Sequence, residues 1–88
     1  MTHERTTALT APEILGRAKS FFAERVPNNA AYPEREGPTF LTLRGQGGEE
    51  IAFAVMPSGT GSHVRASTLF FDQAVARFLS TLPPAQAA

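Results

Sequence analysis

Three short apolar runs, separated by two glycine-rich turns, constrain the fold of this chain more than any other feature. The runs cover 39–44, 51–56 and 63–70, and the turns cover 45–48 and 58–61. Each run has the length and the β-branched or aromatic content of a strand. Because connections this short join antiparallel neighbours, the pattern predicts a meander with the second run in the middle.

Alternation along the three runs assigns their side chains to two faces of the predicted sheet. The first, predicted to be the core face, takes Leu41, Leu43, Ile51, Phe53, Val55, Val64, Ala66 and Phe70. The other takes Phe40, Thr42, Arg44, Ala52, Ala54, Met56, His63, Arg65 and Ser67. The same alternation predicts two cross-strand rows on that other face, Phe40 with Ala54 and Arg65, and Thr42 with Ala52 and Ser67.

Two segments have the apolar spacing of amphipathic helices. The first begins with a capping box formed by Thr10 and Glu13, with Pro12 in the first turn. Its apolar residues are Ile14, Leu15, Ala18, Phe21, Phe22 and Val26, and Pro27 ends it. The second segment begins at Asp72, a predicted N-cap, and ends before Pro83. Its apolar residues are Phe71, Ala74, Val75, Phe78, Leu79 and Leu82.

The apolar side of each helix must pack against another apolar surface, and the core face of the meander provides one. We therefore predict an α+β two-layer sandwich, an antiparallel meander of three to four strands with both helices on one face. Its order is (β)-α-β-β-β-α, in which the optional first strand is the polar segment 5–9. Three prolines without periodicity predict an irregular loop at 27–38. Residues 1–4 and 83–88 are predicted to be flexible ends of one domain spanning 1–88.

Composition narrows the classes of function. The 88 residues include no cysteine, which removes disulfides, thiolate catalysis and cysteine-bound metals together. The formal net charge is zero and the basic residues are dispersed, so we expect no nucleic-acid partner. No apolar run approaches the roughly 18 to 20 residues that span a bilayer, and the polar start is unlike a signal peptide. These features predict a soluble cytoplasmic protein without a membrane partner.

No residue cluster has the types and spacing of a catalytic or metal site. The glycine clusters at 45–48 and 59–61 lie between strands, whereas a phosphate-binding loop must open a helix. His3 and His63 lie in different elements without carboxylates at ligand spacing, so no metal site is expected. The serines have no activating neighbour and the glutamates have no apolar pocket. We expect no cofactor and no enzymatic activity.

The middle run is apolar on both faces, although an antiparallel sheet covered on one side should alternate with polar residues. A second copy stacked on this surface would explain the pattern, and alanines tolerated on an exposed face would explain it equally. The predicted interface comprises Phe40, Thr42, Ala52, Ala54, Met56, His63, Arg65 and Ser67. We predict a small structural or interaction domain, homodimeric through the outer sheet face or a sheet edge, whose partner is itself or another protein.

The segment Thr-Thr-Ala-Leu-Thr-Ala-Pro-Glu at 6–13 resembles the strand-to-helix entry of the helix-grip superfamily, the START and Bet v1-like domains. Segment 72–82 takes the place of that family's C-terminal helix. The chain is shorter than the family and has fewer strands, and the polar pocket residues of polyketide cyclase-like members have no counterpart here.

The resemblance implies a second function, a module that holds a small apolar ligand between helices and sheet. The residues predicted to line it are Phe21, Phe22, Phe53, Val55, Phe78 and Leu79, with Tyr32 in a lid. The same aromatic residues are needed as the core of so short a chain. The interaction domain is therefore the first prediction and the ligand module is the alternative.

Overall fold

Residues 1–24 and 31–84, which the computed structural model describes, form one five-stranded antiparallel sheet with two helices on one side of it. The strands are β1 (Thr2–Thr7), β2 (Ala31–Glu36), β3 (Phe40–Gly45), β4 (Glu50–Ser58) and β5 (Gly61–Thr68). The helices are α1 (Ala11–Ala23) and α2 (Asp72–Ser80). The predicted α+β class is confirmed, with the order β-α-β-β-β-β-α and one strand more than the prediction allowed.

The strands lie in the order β1-β5-β4-β3-β2, so that four consecutive strands form a meander and β1 joins it beside β5. The predicted meander, with β4 between β3 and β5, is confirmed. Both predicted rows are present as well. Phe40 pairs with Ala54 and Ala54 with Arg65, while Thr42 pairs with Ala52 and Ala52 with Ser67.

The core lies between the sheet and the helices, and the predicted face assignment explains why. The core-face side chains of β3, β4 and β5 predicted from alternation are buried from Leu41 to Ala66. Two phenylalanine rings illustrate the contact between the layers, since Phe22 of α1 and Phe78 of α2 both pack on Phe53 of β4. One apolar cluster therefore joins both helices to a single face of the sheet.

α1 begins where the capping box predicts. The amide of Glu13 donates to the Thr10 hydroxyl and the Thr10 amide donates to the Glu13 carboxylate, at 2.9 Å. The Thr10 hydroxyl donates to the same carboxylate, and the two bonds that the carboxylate accepts from Thr10 are the main reason why the pKa of Glu13 lies below its ordinary value. The described helix ends at Ala23, and the predicted end at Val26 and Pro27 lies outside the described residues.

α2 begins one residue away from its predicted N-cap. Phe71 is the N-cap residue, and none of the side chains in 1–24 and 31–84 caps this helix end. Asp72 is the first helical residue, and its carboxylate accepts a hydrogen bond of 2.8 Å from Nε2 of His3 in β1. The prediction of Asp72 as the N-cap is wrong because the sequence does not show that β1 places the His3 imidazole beside the Asp72 carboxylate.

β1 corrects the prediction of a flexible N-terminus at 1–4. Residues Thr2–Thr7 pair along their whole length with β5. The Arg5 guanidinium donates to the Leu82 carbonyl beyond the end of α2, and the Thr7 hydroxyl donates to the carbonyl of Pro83. Pro84 forms an isolated bridge with Thr7, so the predicted flexible end at 83–88 starts in contact with the sheet and 85–88 lie outside the described residues.

β2 corrects the predicted irregular loop at 27–38, of which 27–30 lie outside the described residues. Residues 31–36 pair with β3 and form an edge strand, whose register shifts between Pro33 and Arg35. Only Ala31 of this strand is buried. An edge strand exposed on both faces does not need the apolar alternation by which strands are recognised in a sequence. Pro33 also argues against a strand, because proline is rare within strands other than edge strands.

Phe70 is the one residue predicted on the core face that the structure places at the surface. β5 ends at Thr68, which is buried, and the chain then turns towards α2. Alternation therefore stops two residues earlier than predicted. Phe71 enters the core instead, with its ring centroid 6.4 Å from that of Phe22.

Candidate interaction surface

The face of the sheet opposite the helices, called the outer face below, carries the predicted interface residues. The cross-strand registers place on it Thr2, Glu4 and Thr6 of β1, His63, Arg65 and Ser67 of β5, Glu50, Ala52, Ala54 and Met56 of β4, Phe40, Thr42 and Arg44 of β3, and Tyr32 and Arg35 of β2. All eight residues predicted as an interface are therefore brought together on one surface.

The middle of the outer face is apolar and exposed. Ala54 is exposed, as are Met56 (62%), two residues along β4, and Phe40 (43%), its partner across on β3. Ala52, next along β4, is half-buried. No helix covers these side chains within the described residues, although β4 has the composition of a strand covered on both sides.

An ion pair and a histidine–glutamate hydrogen bond flank this apolar middle. At the β2 edge, the Arg44 guanidinium donates two hydrogen bonds to Glu34 in the β2 bulge, one of them at 2.8 Å. At the β1 edge, Nε2 of His63 donates to Glu4 at 2.7 Å. The Arg44 bond is the main cause that lowers the pKa of Glu34, and the His63 bond is the main cause that lowers the pKa of Glu4.

The formal charges of the outer face and of Glu34 beside it cancel. Among the described residues, three arginines and two glutamates lie on it, and Glu34 bonds to one of those arginines from the bulge at the β2 edge. The residues are Arg35, Arg44, Arg65, Glu4, Glu34 and Glu50. A surface of this kind neither attracts a strongly charged partner nor repels a copy of itself.

A recess of about 450 Å³, called the end groove below, opens at the end of the outer face where β3 turns into β4 and β5 leads to α2. Its floor includes Ala52 and Ser67, and Arg44 and Glu50 lie on its rim. Leu69 and Phe70 line the groove from the turn before α2. The sequence does not predict that both side chains are exposed here, because alternation does not determine which of Leu69, Phe70 and Phe71 enters the core.

The side chains predicted to line a ligand cavity between helices and sheet instead contact one another. The ring centroids of Phe22 and Phe53 are 6.1 Å apart, and those of Phe53 and Phe78 are 5.7 Å apart. Val55 and Leu79, also in the predicted lining, are buried in the same cluster. This is the spacing of close-packed aromatic cores.

Two further residues of the predicted lining lie elsewhere. Tyr32 pairs with Arg44 across β2 and β3, so it lies on the outer face and not over the helices, which corrects its predicted role as a lid. Phe21 is half-buried and lines, with Phe78, an open groove of about 660 Å³ between α1 and α2. The rim of this helix groove comprises Pro12, Glu13, Gly16, Arg17, Ser20 and Thr81.

The free edge of β2 is a poor surface for pairing with another strand. Pro33 has no amide hydrogen to donate, and the bulge after it interrupts the regular alternation of backbone groups. The charged side chains of Glu34, Arg35 and Glu36 surround the bulge. These are the devices by which natural sheets avoid edge-to-edge association.

The free edge of β1 is protected in a similar way. The bridge between Thr7 and Pro84 covers one end of it. The remainder is short and carries the charged side chains of Glu4 and Arg5. Of the two surfaces predicted for association, the outer face is therefore the more suitable.

Comparison of the chain with protein-family models, with curated proteins and with solved structures finds no match in any of the three. Within 1–24 and 31–84, the structure contains no group of three or more histidine, aspartate or glutamate side chains that could hold a metal ion. The helices in those ranges are also too short and too polar to cross a membrane.

Proposed function

We propose that this protein is a small interaction domain that forms a homodimer by stacking the outer faces of two copies. The observation that carries this proposal is the exposed apolar middle of the outer face, formed by Phe40, Ala54 and Met56. An exposed antiparallel sheet normally presents polar side chains to water. Burial against a second sheet removes this apolar surface from water, and it also enlarges the thin core of a short chain.

The charge pattern supports a second copy as the occupant. Because the three positive and three negative side chains cancel, two copies approach without net repulsion. The ion pair of Arg44 with Glu34 and the hydrogen bond of His63 with Glu4 lie towards the edges, where they stay in contact with water. An apolar centre with a polar rim is the usual anatomy of a protein interface.

The small side chains support stacking of two sheets. Packed sheets lie about 10 Å apart with their strands within about 30° of each other. Ala52, Ala54 and Ser67 let a second sheet approach the backbone of the central strands, while Phe40 and Met56 fill the space beside them. The symmetry operation for such a pair is a two-fold axis lying between the sheets.

Size-exclusion chromatography with light scattering tests the proposal. Between about 1 and about 300 µM, we expect the mass to rise from 9.4 kDa towards twice that value. Ala54→Arg places a long cation at the centre of the outer face and is expected to keep the protein monomeric. The matched control is Ala76→Arg, at an exposed position of α2, which is expected to dimerise like the wild type.

Two results would count against the homodimer. The first is a wild-type mass that stays at 9.4 kDa over the whole concentration range. The second is a dimer that survives Ala54→Arg, provided that circular dichroism shows both variants to be folded. The second result would place the interface on another surface.

The ligand module stays a prediction, and one observation favours it. Phe21 and Phe78 line the open helix groove, where an apolar compound could contact aromatic rings. A ligand that binds the folded state raises the melting temperature with its concentration. A panel of fatty acids and aromatic compounds is the direct test, and an unchanged melting temperature across the panel would reject this alternative.

A further inference from the structure

The turn between β5 and α2 exposes two large apolar side chains that the fold does not use. Leu69 is 79% exposed and Phe70 is 74% exposed. Their neighbours on both sides are buried, Thr68 at 5% and Phe71 at 5% exposure. The turn therefore closes onto the core through Thr68 and Phe71, and it holds Leu69 and Phe70 out towards solvent.

The turn is fixed in place rather than frayed. The Thr68 hydroxyl accepts a hydrogen bond from the Phe71 amide at 3.2 Å, and the amide of Val75 bonds to the Phe71 carbonyl at 2.8 Å. Because the backbone of this turn is already ordered, a partner that binds Leu69 and Phe70 does not have to order the loop, which is one of the costs of association. A leucine and an aromatic residue presented in this way have the character of interface anchor residues.

The recess that could receive them lies beside them on the same molecule. The end groove has a volume of about 450 Å³, and Ala52 and Ser67 form part of its floor. In a symmetric dimer, a contact of residue i with residue j of the other copy occurs twice. A protrusion next to a recess can therefore fill the recess of the second copy while the protrusion of that copy fills the first recess.

We propose that Leu69 and Phe70 of each copy insert into the end groove of the other copy. This inference rests on the homodimer proposed above and names its anchor residues. A two-fold axis running along the strands, between two stacked outer faces, brings the same end of both copies together. The groove extends across β4 and β5, and the turn that carries Leu69 and Phe70 follows β5. If the two-fold axis lies between the groove and the turn, rotation by 180° places the turn of each copy over the groove of the other copy.

The size of the outer face explains why such anchors are needed. Five strands about 4.8 Å apart and about 20 Å long give a planar area of about 500 Å². Twisted sheets diverge at their corners, so that only part of this area is in contact. Stable interfaces bury about 800 Å² of accessible surface per partner. Phe70 and Leu69 add two large apolar side chains to a face whose apolar middle has, among the described residues, only two others, Phe40 and Met56.

The first test measures the dimer dissociation constant of Phe70→Ser by sedimentation equilibrium. We expect the constant to rise by about 30-fold or more, as for other buried aromatic anchors. Phe70→Leu keeps an apolar side chain and is expected to stay within about threefold of the wild type. Because Phe70 is 74% exposed, neither substitution should lower the melting temperature of the monomer.

The second test uses the absence of cysteine from the chain. Copies carrying Leu69→Cys, which keep the Phe70 ring, are mixed with separately tagged copies carrying Ala52→Cys, and a short bismaleimide is added. We expect a covalent pair between the two kinds of copy. Replacing Ala52→Cys by Ala76→Cys, on the helical side, is expected to abolish it.

The outcomes separate this inference from the proposed function. If the wild type dimerises and Ala54→Arg does not, but Phe70→Ser dimerises normally and the covalent pair fails to form, the outer face is the interface and the anchor is wrong. If the wild type is monomeric at every concentration, the homodimer itself is wrong and the anchor is rejected with it.

Discussion

His63 and His3 each tie β1 to a neighbouring element through a carboxylate. His63 of β5 donates to Glu4 at 2.7 Å, and His3 donates to Asp72 of α2 at 2.8 Å. Each of these hydrogen bonds is the largest cause that lowers the pKa of its carboxylate. A carboxylate whose pKa is lower in the folded state stabilises that state above its unfolded pKa, and the contribution is lost as the pH falls through the folded pKa.

Replacement of the imidazoles tests these two pairs. In His63→Ala, the pKa of Glu4 is expected to rise towards its ordinary value of 4.5 while that of Asp72 is unchanged. In His3→Ala, the pKa of Asp72 is expected to rise towards 3.8 while that of Glu4 is unchanged. Carboxyl-carbon NMR titration measures both values in each variant. A Glu4 pKa that does not respond to His63→Ala would show that the pair does not form in solution.

The start of helix α1 is determined by local hydrogen bonds, whereas its orientation on the sheet is determined by tertiary packing. Its start follows from Thr10 and Glu13 alone, which is why the sequence predicts it correctly. Its buried stripe follows from helical spacing and packs on the sheet through Phe22. Gly16 on its exposed side is unusual, because a glycine inside a helix lowers stability relative to alanine.

Two glycines with open space around them are expected to respond with opposite signs to alanine. A Cβ on Gly16 would meet no atom within 4 Å, so Gly16→Ala should raise the free energy of unfolding by about 0.5 to 1 kcal/mol. Gly59, in the turn between β4 and β5, also has open space but a φ of +58°. Gly59→Ala should therefore lower the free energy of unfolding by about 1 kcal/mol.

Urea denaturation of both variants at the same protein concentration measures these changes. Stabilisation by both substitutions would show that the turn at Gly59 does not require a left-handed residue. Destabilisation by Gly16→Ala would mean that the helix groove beside it is filled in solution, as an unrecognised ligand or partner would fill it.

The elements that sequence reasoning recovered are those whose signal is local. Alternation in β3, β4 and β5 predicts the faces and the rows correctly, since the core-face residues from Leu41 to Ala66 are all buried. The sequence does not predict β2, because only Ala31 of this strand is buried and the strand therefore shows no alternation of apolar and polar residues. Phe70 was assigned to the wrong side because the point at which a strand ends depends on the turn after it. The outer face was predicted as a surface, whereas its end groove requires the three-dimensional arrangement of two turns.

The whole molecule is a two-layer sandwich with one face covered and one face open. The helices cover the core side, on which Leu43, Ile51 and Val64 are fully buried. The outer side combines an apolar centre, balanced charges and an end groove beside two protruding side chains. Protected edges at β1 and β2 leave the outer face as the surface on which a second copy would stack.

Paramagnetic relaxation of methyl protons by a soluble gadolinium chelate tests this arrangement most directly, because it reports which side chains contact solvent. Ala54 lies at the centre of the outer face and Ala76 lies on the exposed side of α2. As protein concentration rises, we predict that the Ala54 methyl becomes shielded from the chelate while the Ala76 methyl stays accessible. Equal relaxation of both methyls at every concentration would contradict the account.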